Sequence, residues 1–152
     1  MITALVAVAA TSLFPCSVEY SVQAPGYEQQ ITAALGVYSA LSGTAFTVGD
    51  GGIHFIVRAS LLPSKGVETL AMWSPMSATI SLLPASKLPV GARQRVVLHE
   101  LGHAYWQDHN DEADSVMYRY MNPQHTVTAL SVRDQQRIRD AGCRDYTNGG
   151  TQ

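Results

Sequence analysis

A five-residue segment of the chain combines the residue types that bind zinc and activate water. It reads His99-Glu100-Leu101-Gly102-His103. Residues four apart share one face of an α-helix, so both imidazoles can reach a single Zn²⁺ at about 2.0–2.1 Å. Glu100 follows the first ligand directly, where its carboxylate can lie beside the metal and take a proton from water. The pattern predicts a hydrolytic zinc site, and the alternative is an amphipathic helix with two surface histidines.

A catalytic zinc needs a third protein ligand and an open fourth position. His109 follows His103 by six residues, and a straight helix would carry it away from the metal. The helix must therefore end near residues 105–107, and the chain must turn back. The carboxylates of Asp108 and Asp111 are alternative ligands in the same segment.

These residues and their spacing resemble the metzincin zinc peptidases, and within them the matrixin type. That clan has the pattern HExxHxxGxxH, followed by a tight turn with a Met beneath the zinc, and Ser-Val-Met-Tyr occupies residues 115–118 here. The resemblance implies a zinc metalloendopeptidase with one catalytic Zn²⁺ and a protein or peptide substrate. The implied roles are metal ligation by His99, His103 and His109, proton transfer by Glu100, and the Met-turn by Met117.

The resemblance also implies where the substrate lies. Strand 79–83 corresponds to the clan's edge strand, to which an extended substrate can add by main-chain hydrogen bonds. Segment 118–123 corresponds to the wall of the pocket for the residue after the scissile bond. Its candidate pocket residues are Tyr118, Tyr120 and Pro123, with ordinary packing as the alternative for the two tyrosines.

Three departures from the clan pattern bear on this interpretation. Trp106 stands where the clan has a Gly that turns the chain at positive φ, so we expect a buried Trp106 to hold a locally different turn. A prodomain with a zinc-blocking Cys is not expected in a chain this short. Loop 59–78 has no His and one acid, Glu68, so a structural zinc or calcium loop is not expected. Such a minimal form is similar to bacterial or phage-encoded relatives.

The competing functional class is a non-catalytic, metzincin-like binding or virion-associated module with structural or absent zinc. The intact Glu100 argues against that class, because a purely structural site needs no base. Among the other candidates, His54 is predicted to lie on a sheet face and His125 in a solvated loop. Asp114 is expected either to form the turn or to orient a ligand histidine.

Alternating and helical apolar patterns predict the elements that position this site. The order of strands, helices and loops favours an α/β (α+β) fold: a metzincin-like single domain with a twisted mixed sheet, an active-site helix, a Met-turn and a C-terminal helix. Ser131 and Asp134 form a capping-box pattern at the start of that last helix. The predicted strands are 18–22, 45–48, 53–58 and 79–83, and the predicted helices are 27–41, 91–105 and 131–142.

Composition bounds the remaining possibilities. The 152 residues suit one domain, and 46% hydrophobic residues suffice for a core. A net charge of −2 offers no basic field for nucleic acid, and the apolar run 2–14 is too short for stable membrane insertion. Residues 1–14 are either a secretory leader or a segment packed on the domain at 15–152. No oligomeric state is predicted.

The two cysteines, Cys16 and Cys143, lack the spacing of a zinc finger. In an exported protein they would pair and join the two ends of the domain, whereas in the cytosol they would stay free thiols. We favour the pair, and with it a secreted or extracellular protein.

Overall fold

The computed structural model describes residues 15–61, 69–105, 107–120 and 127–143. Within these ranges it contains one five-stranded mixed sheet and three α-helices, which confirms the predicted mixed α/β class. Short 3₁₀ turns occupy Pro75–Ser77 and Ala85–Lys87. The main elements are β1 Ser17–Gln23, α1 Glu28–Ser42, β2 Ala45–Val48, β3 Ile53–Val57, β4 Ala71–Ser74, β5 Thr79–Leu82, α2 Val90–Ala104 and α3 Val132–Ala141.

The strands lie in the order β2-β1-β3-β5-β4. Strands β2, β1, β3 and β5 run parallel to one another. Strand β4 lies at one edge of the sheet and pairs antiparallel with β5. The expectation that residues 79–83 form the edge strand is therefore wrong, because β5 is paired on both sides. The true edge strand, β4, lies inside the segment that the sequence predicted to be a loop. The sequence did not reveal β4 because the strand has only four residues, too few to show an alternating apolar and polar pattern, and segments that contain Ser, Pro and Gly flank it.

The three helices pack together beside the sheet, with α1 in contact with both α2 and α3. The inward residues of α1 recur at helical spacing, as predicted, and all are at most 4% exposed. They are Ile31, Ala34, Leu35 and Tyr38. The helix ends at Gly43, whose φ of 80° lies in the left-handed region that suits glycine.

The helix α2 is anchored in the core along its whole second half. Val97 and Leu101 are fully buried, and the hydroxyl of Tyr38 donates to the carbonyl oxygen of Leu98 at 2.8 Å. The Tyr38 ring also stacks on Tyr105, with ring centroids 5.1 Å apart. The His-containing face of α2 is thereby fixed relative to α1.

A disulfide joins Cys16, just before β1, to Cys143, just after α3, with Cα atoms 4.8 Å apart. The predicted pairing is therefore present. Residues 1–14, for which a leader or a packed segment was predicted, lie outside the described residues. None of the helices in the described ranges has the length and apolarity needed to cross a bilayer.

Candidate metal centre

Three histidines converge at the end of α2. The Nε2 atom of His99 lies 3.1 Å from that of His103 and 3.1 Å from that of His109, and the remaining Nε2 pair is 3.3 Å apart. Three nitrogens held at 2.0–2.1 Å from one tetrahedral zinc would be about 3.3 Å from one another. The triangle therefore has the dimensions of a metal site, and the three histidines are close enough to bind one ion.

Backbone carbonyls fix the orientation of the two helix histidines. The carbonyl oxygen of Val116 lies 2.6 Å from His99 Nδ1, and that of Gln107 lies 2.8 Å from His103 Nδ1. Carbonyl oxygens only accept, so each neutral ring carries its proton on Nδ1 and presents a lone pair on Nε2. Two acceptor atoms then face each other at 3.1 Å, an arrangement that a cation between them would stabilise.

Burial keeps the helix histidines neutral. Desolvation lowers the pKa of His99 to about 3, and it also lowers the pKa of His103. The His109 ring is exposed, and its pKa is lowered by partial desolvation and by the neighbouring His103. A neutral imidazole is the form that binds transition metals.

His109 reaches the site because α2 ends at Ala104, close to the predicted end at residues 105–107. Gln107 N–H donates to the Gly102 carbonyl at 2.9 Å, so the chain leaves the helical path at once. Asn110 then hydrogen-bonds to the turn at residues 115–118. Its backbone N–H donates to the Met117 carbonyl oxygen at 3.1 Å, and its side-chain amide donates to the Ser115 hydroxyl. The predicted return of His109 is thus present. Trp106, predicted to hold this turn, lies outside the described residues.

Met117 packs against α2 at Gly102, one residue before His103. Its side chain is 2% exposed, and its sulfur packs so close to Gly102 that a Cβ on Gly102 would overlap it. A larger residue at position 102 would require the Met117 side chain to shift. The close approach explains why glycine occupies the fourth position of the His-Glu-x-Gly-His segment.

The turn at 115–118 is held by an acid from a distant helix. Asp134 accepts the Ser115 hydroxyl at 2.5 Å and the Val116 N–H at 3.0 Å, and it also completes the capping box with Ser131. The capping box was predicted, whereas the contact with the turn was not. The orienting role considered for Asp114 is filled by backbone carbonyls at His99 and His103.

Glu100 lies between α2 and the edge of the sheet. It is 6% exposed, and the backbone N–H of Trp73 in β4 donates to its carboxylate. Burial raises the pKa of Glu100 to about 7, and the Trp73 bond opposes this rise only in part. A carboxyl group with a pKa near neutrality can both accept and return a proton.

Arg95, one turn of α2 before His99, is a site residue that the sequence did not indicate. Arg95 is 3% exposed, and its guanidinium donates to the carbonyl oxygens of Tyr118 and Tyr120, at 3.5 and 3.3 Å. The segment that follows the turn is therefore tied to α2, the helix that carries His99 and His103. The two tyrosine rings are 6.0 Å apart, with Tyr120 55% exposed, and Pro123 lies outside the described residues.

Other predicted candidates do not join the centre. Among the described residues, the group that could hold a metal ion consists of His99, His103 and His109. It does not include Asp108 or Asp111. His54 lies in β3 and its Nδ1 is 2.8 Å from the Ser21 hydroxyl, so it occupies a sheet face as predicted. His125 is outside the described ranges.

A cleft of about 770 Å³ opens beside the site on the His103 flank. Its wall includes Trp73 and Pro75 from the edge of the sheet, Gln107 and Asp108 from the segment after α2, and Glu19 from β1. Residues 118–120 thus contact α2 at Arg95, before the three histidines, whereas the cleft lies beside the end of α2, at His103 and Ala104.

No family model matches this chain, and no curated protein matches its sequence. The function of the chain is therefore inferred from the geometry and chemistry of the site residues.

Proposed function

We propose that the protein is a zinc metalloendopeptidase of the matrixin type within the metzincins. The observation that carries the proposal is the convergence of three Nε2 atoms within 3.1–3.3 Å, two of them on rings whose Nδ1 atoms face backbone carbonyls. Imidazole ligands with their other nitrogen bound in this way are typical of zinc sites. The Ser-Val-Met-Tyr sequence at 115–118, with Met117 packed against Gly102 of α2, supports the matrixin assignment.

The proposed reaction is hydrolysis of a peptide bond. Zinc held by His99, His103 and His109 would polarise the scissile carbonyl and lower the pKa of water. Glu100 takes the proton released as water attacks and passes it to the leaving amine. The N–H of Trp73 holds the carboxylate in position for both transfers.

The substrate would lie along β4. This strand is the edge of the sheet beyond β5, and it carries Trp73, whose N–H contacts the catalytic base. An extended peptide added to that edge would pass directly over the metal centre. Segment 118–120, tied to Arg95, would form the wall of one subsite, with Tyr118 and Tyr120 as its candidate lining.

The proposal includes a secreted or extracellular location. The Cys16–Cys143 disulfide supports it, because such bridges persist in oxidising compartments. A thiol titration of denatured, unreduced protein from its native compartment should find no free Cys. Two free thiols would contradict the location.

The test combines zinc content with proteolysis. Purified protein should hold one zinc per chain and cleave a general protein substrate, and a chelator should abolish the cleavage. Glu100→Gln should keep the zinc and lose about 10²–10⁴-fold in turnover or more, because the same group serves both proton transfers. Glu28→Gln, at an exposed acid that begins α1, is the matched control.

Zinc binding without proteolysis in the wild type would instead support the non-catalytic module. Undiminished proteolysis by Glu100→Gln would exclude the proposed mechanism. The two outcomes separate a failure of the chemistry from a failure of the metal site.

A further inference from the structure

The cleft beside His103 has apolar walls. Trp73, Pro75 and Ile53 line it together with Gly51 and Gly52. A volume of about 770 Å³ lies within the range of ligand pockets, so it can take a long side chain. The metal ligand His103 itself forms part of the wall, which makes the cleft continuous with the proposed reaction centre.

The charged residues that line the cleft in the described ranges are both acidic. Asp108 shares the cleft wall with His103 and directly precedes His109 in the chain, so it lies at the metal end of the cleft. Glu19 accepts the N–H of Gly51, another wall residue, at 2.7 Å, which fixes its carboxylate against the loop after β2. The cleft is therefore complementary to a side chain with an apolar stem and a cationic end.

The direction of β4 indicates which part of a substrate meets the cleft. Antiparallel pairs outnumber parallel ones, and a peptide antiparallel to β4 has its N-terminal part beside Pro75 and its C-terminal part beside Ala71. Trp73, which contacts Glu100, marks the register of the reacting bond. Residues before the scissile bond thus lie on the Pro75 side, where the cleft is.

We infer that this cleft is a specificity subsite that binds a Lys or Arg side chain on the N-terminal side of the scissile bond. The inference rests on the proposed function and deepens it, because it names the substrate class. The apolar walls hold the methylene stem, while Glu19 and Asp108 receive the cationic end.

The test uses the zinc-loaded protein and a synthetic peptide library randomised on both sides of the cleaved bond. Lys and Arg should be enriched at a position within about three residues before that bond. A Lys peptide should then exceed its norleucine analogue in kcat/KM by about tenfold or more, the effect of one charge-assisted hydrogen bond. The advantage should shrink at high salt.

Variants assign the preference to the two acids. Glu19→Gln and Asp108→Asn should each lower the ratio of kcat/KM for the Lys peptide to kcat/KM for its norleucine analogue. The double variant should have a ratio close to one. Asp140→Asn, at an exposed acid near the end of α3, should leave the ratio as in the wild type. Zinc content and melting temperature of each variant show whether the fold and the metal site persist.

The outcomes separate the two proposals. Chelator-sensitive cleavage with no basic preference before the bond, or a ratio unchanged in the double variant, overturns the subsite alone. Absence of any chelator-sensitive cleavage overturns the proposed function and the subsite with it.

Discussion

Asp134 bonds to the backbone of Val116, the residue whose carbonyl oxygen faces His99. The carboxylate accepts the Val116 N–H at 3.0 Å, and the Val116 carbonyl oxygen lies 2.6 Å from His99 Nδ1. A single peptide segment thus connects the capping box of α3 to His99 on α2. The first turn of α3 is therefore part of the support of the candidate metal centre, although α3 supplies none of the three converging imidazoles.

We predict that Asp134→Asn weakens zinc binding. One carboxylate oxygen accepts from the Ser115 hydroxyl and the other from the Val116 and Ser131 N–H groups, so the NH₂ group of an amide would face a donor in either orientation. Loss of such outer support typically costs 10–100-fold in metal affinity. Competition with a fluorescent zinc chelator measures the change, with Asp140→Asn as control. Unaltered affinity in a folded Asp134→Asn protein would show that the turn holds His99 without Asp134.

His109 is predicted to be the third ligand, and the neighbouring acids are not. His109→Ala should weaken zinc binding sharply, because it removes one of three converging nitrogens. Asp108→Ala and Asp111→Ala should change the affinity little. The same chelator competition distinguishes the three variants. Full affinity in His109→Ala together with loss in an Asp variant would rule out the matrixin assignment.

Glu100 should make the zinc-free protein less stable at neutral pH than its amide variant. Its folded pKa of about 7 exceeds the ordinary 4.5, so between these values the folded state binds more protons than the unfolded state. The contribution of Glu100 to stability is complete below pH 4.5 and is lost as the pH rises through 7. Glu100→Gln has no such loss, because its amide does not ionise.

Urea unfolding in the presence of a chelator measures this effect. At pH 8 the free energy of unfolding of Glu100→Gln should exceed that of the wild type by on the order of 2–3 kcal/mol. At pH 4.5 the two should differ much less. A difference that does not change with pH would show that burial does not raise the pKa of Glu100.

Gly102→Ala should destabilise the protein by about 1–3 kcal/mol, because the added methyl group overlaps the Met117 sulfur. Gly36→Ala is the matched control, since it adds the same methyl group to an exposed position of α1 with no atom within 4 Å. It should stabilise by about 0.5–1 kcal/mol through helix propensity. Thermal unfolding compares the two. Equal changes in melting temperature for Gly102→Ala and Gly36→Ala would mean that the Met117 side chain can move away from the added methyl group.

The sequence predicted those parts of the site that depend on local spacing. His99 and His103 lie four apart on one helix face, and their shared orientation follows from helix geometry alone. The capping box of Ser131 and Asp134 is likewise a pattern within four residues, and it is present. The return of His109 was predicted from the need for a third ligand and from the resemblance.

The parts that the sequence missed depend on contacts between distant segments. Asp134 serves both its own helix and the 115–118 turn, a second role that no spacing reveals. Arg95 has the spacing of an ordinary polar position of an amphipathic helix, yet it is buried beneath carbonyls from residues 118 and 120. Strand β4 is defined by its pairing with β5 more than by its own four residues.

The bridge between Cys16 and Cys143 has a consequence for protein engineering. Because the flanks of β1 and α3 meet there with Cα atoms 4.8 Å apart, residues 16 and 143, which bracket the described elements, lie at one place on the fold. A domain with neighbouring ends can be inserted into a surface loop of a host protein without forcing that loop open. By the same geometry, a short linker from 143 to 16 would allow circular permutation, with new ends opened in an exposed connection such as that between β2 and β3.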